Sequence, residues 1–286
     1  RLLTQGMVLK DAYRCATHDY LYPEEVQDGA CKQCGQPAQQ LRQMKMSKSF
    51  RNVVEPMALI DRYGADTVRL FCLFAAPPDS VLEWSEAGVE GCSRFLGRLH
   101  RLVLRALALP PATTGETSTE DLALRRKTHK TIRRVTTDLF DRLQYNTAIA
   151  AIMELCNETG DYITAAGANA SQTPALREAL ESAVLLLCPM APHLCEELWQ
   201  RLGHAPFAAA APWPVCDEAI ARDEHVTVVV QVNGKKRGEL LVAPDADEAT
   251  ALSLAQSDAN VAQHLSGKTI RKTIFVKGRL LNLVVG

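Results

Sequence analysis

The middle of the chain has the hydrophobic period of a helix. From about Gly88, apolar residues recur at steps of three and four, at Val89, Cys92, Leu96, Leu99, Val103 and Leu107. That spacing places the side chains on one helical face. Similar patterns predict helices over residues 122–143, 146–156 and 174–188, and a last one over 196–202. We therefore predict an α-helical bundle over residues 87–218.

The period changes to that of strands near the end of the chain. Valines alternate with other residues over 226–232, and Asn233-Gly234 is a strong hairpin signal. Further elements follow, with strand patterns over residues 236–242, 269–276 and 280–285 and a helix over 247–264. These elements predict a small α+β domain over residues 224–286.

The first part of the chain combines a strand, a loop-rich segment and two short helices. Residues 2–9 are predicted to form the strand, and residues 13–37 the loop-rich segment. The first helix begins near Pro56 and ends at Gly64, and Asp66 is predicted to cap the second. Together with the bundle, this organisation predicts a multidomain, mainly α fold.

Composition indicates an ordinary globular protein. The 286 residues are 47% hydrophobic and 23% charged, and the net charge is −1. No apolar run approaches the ~18 residues of a membrane span, so we expect no membrane partner. The nine cysteines lack disulfide-like spacing, which favours a reducing, cytoplasmic location. Because the first residue is Arg, we expect the chain to have been cut from a longer one.

Two pairs of metal-ligand residues lie close together in the loop-rich segment. Cys15 and His18 form one pair, and Cys31 and Cys34 the other, each with two residues between its members. This spacing lets both members of a pair reach one ion, and three thiolates with one imidazole suit tetrahedral Zn²⁺. Four protein ligands leave no open position, so we expect a structural site. The alternative is four unmetallated side chains in a loop.

Lys45-Met46-Ser47-Lys48-Ser49 is the sharpest chemical signal in the sequence. Two lysines three residues apart are interleaved with hydroxyl side chains, which in a loop can clamp a triphosphate. Attack on an α-phosphate builds charge on non-bridging oxygens, and positioned ammonium groups stabilise that charge. A solvated basic loop is the simpler alternative for five residues taken alone.

The surrounding sequence favours the phosphate role. The pentapeptide resembles the second signature of class I aminoacyl-tRNA synthetases. The stretch from Tyr63 to Thr67 is similar to one shared by the leucine, isoleucine and valine enzymes, whereas Glu83-Trp84-Ser85 resembles the leucine type. The runs VQVNGKKRG and GRLLNLVV also resemble leucyl-tRNA synthetases, so the resemblance covers essentially the whole chain. One departure is Phe50, which stands where Lys is frequent.

The resemblance implies roles for the first part of the chain. Residues 1–86 would be the end of a Rossmann-like catalytic domain, with a zinc-type insert at 13–37 and the signature loop at 45–49. The family joins leucine to ATP and then to tRNA-Leu, so ATP with Mg²⁺ is the expected cofactor. The resemblance makes Lys45 and Lys48 the expected catalytic residues. Binding of ATP is assigned to the whole loop, Lys45, Met46, Ser47, Lys48 and Ser49.

The resemblance also implies an incomplete enzyme. The family's first signature, of the His-Ile-Gly-His type, does not occur in the sequence. We therefore expect this chain alone to be inactive and to need an N-terminal catalytic half, in the same polypeptide or as a separate subunit. The alternatives are a free-standing tRNA-binding module, or a synthetase for valine, isoleucine or methionine.

Two basic surfaces are candidates for contact with tRNA. One is the second bundle helix, with Arg126, Lys130 and Arg133, whose usual explanation is a solvated face. The other is the last domain, where eight lysines and arginines face five acidic residues from His225 onward. Its candidates are Lys235, Lys236, Arg237, Arg271 and Lys272. Edge-strand lysines that prevent aggregation are the alternative there. The resemblance implies phosphate contacts on both surfaces.

Overall fold

The computed structural model describes residues 7–112, 117–222 and 226–286. The chain divides into two compact units, residues 1–221 and 222–286. About half of the residues are helical and both units contain a sheet, so the fold is mixed α/β rather than mainly α. Within the described ranges, no helix is long and apolar enough to cross a membrane.

The described part of the first unit contains six strands, five of them before the first α-helix. They are β1 (Val8–Cys15), β2 (Asp19–Leu21), β3 (Val26–Gln27), β4 (Ala30–Cys31), β5 (Ala38–Lys45) and β6 (Leu82–Glu83). The central strand β1 is antiparallel to β2 and β5 and parallel to β6, while β3 and β4 form a separate hairpin.

The strand predicted over residues 2–9 is longer at its end than the sequence indicated. Residues 2–6 of that segment lie outside the described residues, and β1 continues past Leu9 to Cys15. It extends this far because β5 and β2 supply backbone partners on both of its edges, up to the pairs that Cys15 makes with Ala38 and Asp19. The predicted loop-rich segment therefore begins inside a strand.

Eight helices make up the rest of this unit as described. They are α1 (Pro56–Tyr63), α2 (Ala65–Phe74), α3 (Glu86–Leu107), α4 (Thr119–Thr136), α5 (Tyr145–Ala166), α6 (Pro174–Leu187), α7 (Pro192–Arg201) and α8 (Glu218–Ala221). Short π-helical and 3-10 segments connect some of them. The predicted bundle is thus present, with one apolar core shared by α2 to α7.

Helix α5 extends ten residues beyond its predicted end, to Ala166 instead of Cys156. The polar residues after Cys156 do not end it, because Thr159 is buried and its hydroxyl donates to the Leu155 carbonyl at 2.7 Å. Ile163 then continues the buried face into the core. Because the Thr159 hydroxyl has its hydrogen-bond acceptor within the helix, its burial does not disrupt the packing of α5.

Asp66 stabilises a different helix from the one predicted. The residue before α2 is Gly64, and the buried Asp66 carboxylate instead accepts from the Leu194 backbone N–H at 2.7 Å. Its other oxygen lies 2.8 Å from His193 Nδ1. Both partners are in the first turn of α7, which has no side-chain cap of its own. The carboxylate therefore caps α7 across 128 residues of sequence.

We expect Asp66→Ala to lower the free energy of unfolding by about 2 kcal/mol, because α7 loses its cap and the half-buried Leu194 N–H loses its acceptor. Urea denaturation measures the change. Asp61→Ala is the matched control, since Asp61 is exposed on α1 and should change stability by less than about 0.5 kcal/mol. Equal midpoints for the two variants would show that the carboxylate does not stabilise α7.

The second unit is a four-stranded sheet covered by two helices. Its strands are β7 (Val226–Val232), β8 (Lys235–Val242), β9 (Ile270–Val276) and β10 (Leu280–Val285), in the order β8-β7-β10-β9. The single helix predicted over 247–264 is two, α9 (Glu248–Ser257) and α10 (Ala259–Leu265). The break lies at Asp258, which is extended and whose side chain caps α10 by accepting from Val261 N–H at 3.0 Å.

Candidate functional site

The four predicted metal ligands lie at two turns that face each other. Cys15 ends β1 and His18 is in the turn to β2, whereas Cys31 ends β4 and Cys34 is in the turn to β5. Gly35 makes the second turn possible with φ +70°, and its N–H donates to the Cys31 carbonyl at 2.8 Å. The β1–β5 pairing brings the two turns together. We call residues 13–37 the knuckle.

The distances between the donor atoms fit one tetrahedral ion. All four lie within 4.8 Å of one another. Sulfur atoms about 2.3 Å from Zn²⁺ are about 3.8 Å apart at tetrahedral angles, and Cys15 Sγ is 3.5 Å from Cys34 Sγ. His18 Nδ1 lies 3.6 Å from Cys31 Sγ and 4.0 Å from Cys15 Sγ. The four side chains could therefore bind one zinc ion.

The surroundings of Cys15 favour its thiolate form. The backbone N–H groups of His18 and Thr17 donate to the sulfur and lower the pKa of Cys15 to about 6, against an opposing effect of burial. Because metals bind the thiolate, the proton to be displaced is already weakly held. The knuckle's own apolar core contains only three buried side chains, Cys15, Leu21 and Cys31, so cross-linking by a metal would add substantially to its stability.

The signature loop begins where β5 ends, at Lys45. Met46 N–H still donates to the Val8 carbonyl at 2.9 Å, which holds the loop against β1. Ser47 then caps a 3-10 turn, Lys48–Phe50, by accepting from Ser49 N–H, and the two serine hydroxyls lie 2.8 Å apart. The fold therefore fixes the backbone of the five predicted ATP-site residues on both sides of Ser47.

Asn52 anchors the far end of the loop, a role that the sequence did not predict. Its side chain is fully buried, and its Oδ1 accepts from Ser47 N–H at 2.8 Å. Its Nδ2 donates to the carbonyls of Lys10 at 3.0 Å and Lys45 at 3.3 Å. The only sequence signal was its position three residues after the pentapeptide. One amide thus joins both ends of the loop to the sheet.

The lysines of the loop point away from these anchors. Lys45 and Lys48 are exposed, and neither has a carboxylate partner in the described parts of the chain. A cleft of about 480 Å³ adjoins them, lined by Met7, Val8, Met46, Ser47 and Val53 as well as the two lysines. Because no carboxylate neutralises the ammonium groups, both are available for an anionic ligand.

The knuckle supports the signature loop directly. The Phe50 ring lies 4.9 Å from the Tyr20 ring, measured between centroids. Arg51 has a left-handed backbone with φ 49°, its guanidinium is 3.2 Å from the Glu25 carboxylate, and it lies over the Tyr22 ring. Phe50, the departure from the usual family sequence, therefore has a packing partner on β2.

Several cations of α4, including the predicted tRNA contact Arg133, form ion pairs with carboxylates of other helices. Arg125 lies 2.7 Å from Glu178, Lys127 lies 2.8 Å from Glu158, and Arg133 lies 2.8 Å from Glu218. Arg126 and Lys130, two of the three predicted contacts with tRNA, are only partly exposed and also have interactions. The face is more neutral than its sequence indicates.

In the second unit the structure brings the predicted basic residues to one end of the sheet. Lys235 and Lys236 follow the β7–β8 turn, whose Asn233 exchanges two hydrogen bonds with Val285 of β10. Arg271 and Lys272 begin β9 beside that same end of β10. Lys236 is paired with Glu239 at 2.6 Å, and Arg237 Nε is buried without a hydrogen-bond partner.

Comparison with protein families gives two matches along the chain. Residues 40–85 match the tRNA synthetases of class I (I, L, M and V), and residues 121–252 match the anticodon-binding domain of tRNA ligase. The first match includes the signature loop with Asn52, and the second begins in α4. Both are consistent with the resemblance read from the sequence.

Comparison with curated proteins and solved structures is more specific. The chain is 47% identical to a leucine–tRNA ligase of Syntrophus aciditrophicus and 46% identical to that of Halorhodospira halophila, each over 99% of this chain. It spans only 34% and 31% of those proteins, about a third of their length. The ternary complex LeuRS-tRNA-LeuAMS of Agrobacterium radiobacter K84 contains a similar structure, with a TM-score of 0.72 and 32% identity over 85% of this chain and 31% of that one.

Proposed function

This chain belongs to the leucine–tRNA ligase family, as a homologue of about a third of the full enzyme, and on that premise we propose that it supplies the ATP phosphate clamp and tRNA-binding surfaces for leucylation of tRNA-Leu. The reaction forms leucyl-adenylate from leucine and ATP with Mg²⁺, and then transfers leucine to tRNA. Because the chain spans about a third of its relatives, we propose that it is inactive without the remaining part of the catalytic domain.

The observation that carries this proposal is that both lysines of the signature loop are exposed and that neither has a carboxylate partner among the described residues. Lys48 lies in a 3-10 turn whose backbone is fixed by Asn52, beside an open cleft. Its ammonium can approach a triphosphate without first leaving a carboxylate. Charge that develops on the α-phosphate oxygens and on departing pyrophosphate is stabilised by such a preorganised cation. Lys45 adds a second positive charge at the end of β5.

The remaining proposed sites are a zinc site beside the signature loop and two surfaces that contact tRNA. Cys15, His18, Cys31 and Cys34 would hold a structural Zn²⁺, and the metal would keep the knuckle folded under the loop. The basic end of the second unit, with Lys235, Lys236, Arg237, Arg271 and Lys272, would contact tRNA phosphates. Arg126, Lys130 and Arg133 stay proposed contacts on α4.

Two parts of the proposal, tRNA binding by this chain and its inactivity without a further catalytic part, can be tested on the isolated chain. We expect the purified chain to bind a tRNA-Leu transcript in a filter assay, with affinity that falls steeply as salt increases. We expect no leucine-dependent ATP–pyrophosphate exchange above background, because the chain spans only about a third of the ligases that it matches. Exchange activity in the isolated chain would refute the proposed dependence on a further catalytic part. Failure to bind tRNA at low salt would refute the tRNA-binding role.

A further inference from the structure

Arg51 closes the short turn that carries Lys48. Its backbone N–H donates to the Lys48 carbonyl at 3.2 Å, and its φ of 49° lies in the left-handed region. An arginine adopts this region less readily than asparagine or glycine does. An unfavourable backbone conformation of this kind persists where surrounding contacts hold it in place. The contacts of the Arg51 side chain therefore bear on the shape of the turn.

Two residues of the knuckle bind the Arg51 side chain. Its Nη1 lies 3.2 Å from a carboxylate oxygen of Glu25, and its guanidinium carbon lies 5.1 Å from the centre of the Tyr22 ring. A guanidinium interacts favourably with a carboxylate and with the face of an aromatic ring. The Arg51 side chain is 43% exposed, so the ion pair alone is weak. Two contacts of different geometry nevertheless restrict where the guanidinium can lie.

Glu25 is held in place independently of Arg51. The carboxylate oxygen that faces Arg51 also accepts from the Tyr22 backbone N–H at 2.9 Å, and the other oxygen accepts from Gln33 Nε2 at 3.2 Å. The Tyr22 N–H first, and then the charge of Arg51, lower the pKa of Glu25 against an opposing effect of desolvation. The carboxylate is therefore a fixed, negatively charged anchor for the arginine.

The contact between Arg51 and Glu25 gives the turn a second point of attachment. At the first point, the buried Asn52 side chain accepts from Ser47 N–H at 2.8 Å and binds carbonyls of β1 and β5. Glu25 belongs to the knuckle and not to either of those strands. A turn attached at one point can tilt, whereas attachment at two points restricts that motion. Because Lys48 is hydrogen-bonded to Arg51, its position depends on both attachments.

We propose that Arg51 is a positioning residue for the proposed formation of leucyl-adenylate, and that its contact with Glu25 holds Lys48 at the cleft. Among the described residues, Arg51 does not line that cleft, so its effect on ATP passes through Lys48. The inference rests on the proposed function, which supplies the reaction. A preorganised cation acts on charge that develops in the transition state, so a looser turn should lower kcat more than it weakens ATP binding.

The test is leucine-dependent ATP–pyrophosphate exchange in a full-length enzyme that contains this chain, with kcat and the KM for ATP measured separately. Arg51→Asn removes both side-chain contacts but suits the left-handed backbone. We therefore expect a thermal melting temperature that is unchanged or higher, together with a kcat that is about 3- to 10-fold lower because Lys48 is misplaced. The KM for ATP should change less than about twofold. Arg51→Lys keeps a charge beside Glu25 and should recover most of the kcat.

Arg62→Asn is the matched control. Arg62 lies on α1, 3.8 Å from a Glu90 oxygen and 4.8 Å from the centre of the Tyr63 ring, so it has the same two kinds of contact away from the signature loop. We expect its kcat to equal that of the wild type. A loss of kcat in Arg51→Asn that is matched by Arg62→Asn, or that accompanies a lower melting temperature, would show a structural role and overturn the proposal.

Glu25→Gln separates positioning from direct contact with ATP. This variant keeps an acceptor for the Tyr22 N–H but loses the charge, so positioning predicts a fall in kcat, and adding it to Arg51→Asn should cause little further loss. If Arg51 itself contacted phosphate, its release from Glu25 would leave kcat unchanged or raise it, which would overturn the proposal. Wild-type kcat in Arg51→Asn would overturn it as well, while a loss in Lys48→Ala would leave the proposed function intact. No loss in either variant would refute both.

Discussion

Lys48→Ala in a full-length enzyme that contains this chain is expected to slow leucine-dependent ATP–pyrophosphate exchange by about 10²–10³-fold, the usual effect of removing one preorganised donor to developing charge. The ammonium of Lys48 is exposed, has no carboxylate partner in the described residues and adjoins the cleft beside the loop. Its loss removes stabilisation of the phosphate oxygens during attack. We expect the tRNA affinity to stay within about twofold of the wild-type value, because Lys48 is not one of the proposed tRNA contacts.

Lys32→Ala is the matched control for this experiment. Lys32 is an exposed lysine of the knuckle, and its side chain forms no ion pair in the part of the chain that the structure describes. The Lys32→Ala substitution removes one positive charge from the knuckle and leaves the signature loop unchanged. Exchange at the wild-type rate in Lys48→Ala, or an equal loss in both variants, would show that Lys48 does not act on phosphate.

The residue types of the signature loop could be interpreted from the sequence, but the contacts that hold the loop in place could not. A pentapeptide with two lysines and two hydroxyls indicated phosphate binding by residue type and spacing alone. Asn52 gained its role from carbonyls of two strands, one of which begins more than forty residues earlier. Phe50 looked like an unfavourable exchange until β2 placed Tyr20 beside it. Such partners depend on strand pairing, which a local pattern does not specify.

The basic surfaces show the same limit more clearly. Helical spacing correctly placed cations along α4, yet their carboxylate partners lie far away in sequence. Lys127 reaches Glu154, 27 residues away, and Arg133 reaches Glu218, 85 residues away. Ion pairs in the tertiary structure therefore neutralise cations of α4 that the sequence indicated as a basic surface. On α3, Arg98, Arg101 and Arg105 form no ion pair with any residue that the structure describes, and the sequence alone does not show this.

Cys31→Ser is expected to abolish stoichiometric zinc binding and to unfold the knuckle. Replacing a residue that hydrogen-bonds to a metal ligand already lowers metal affinity about 10- to 100-fold. Replacing a thiolate ligand itself should therefore lower zinc affinity at least about 100-fold. Cys31 is buried, and its sulfur lies 3.6 Å from His18 Nδ1 at the centre of the proposed site. Without the metal, three buried side chains are a core too small to hold residues 13–37 in place.

Metal analysis after gel filtration measures the first effect, and limited proteolysis of residues 13–37 measures the second. We expect about one zinc per wild-type chain and less than about 0.1 in the variant. Cys216→Ser is the control, because Cys216 is a partly exposed thiol outside the cluster and should leave the zinc content unchanged. Wild-type protein that contains no zinc, and whose thiols all react freely in a thiol titration, would remove the metal site from the proposal.

The knuckle variant also tests whether zinc matters to the ATP loop. Phe50 packs on Tyr20, and Arg51 contacts Glu25 and Tyr22, so unfolding of the knuckle removes the outer support of the loop while Asn52 still holds its inner side. We therefore expect ATP–pyrophosphate exchange in full-length Cys31→Ser to fall about tenfold, less than in Lys48→Ala, because misplacement weakens a catalytic contact without deleting it. Loss of zinc with full exchange activity would limit the metal to folding of the knuckle. An equal loss of zinc and activity in Cys216→Ser would instead indicate general destabilisation of the unit.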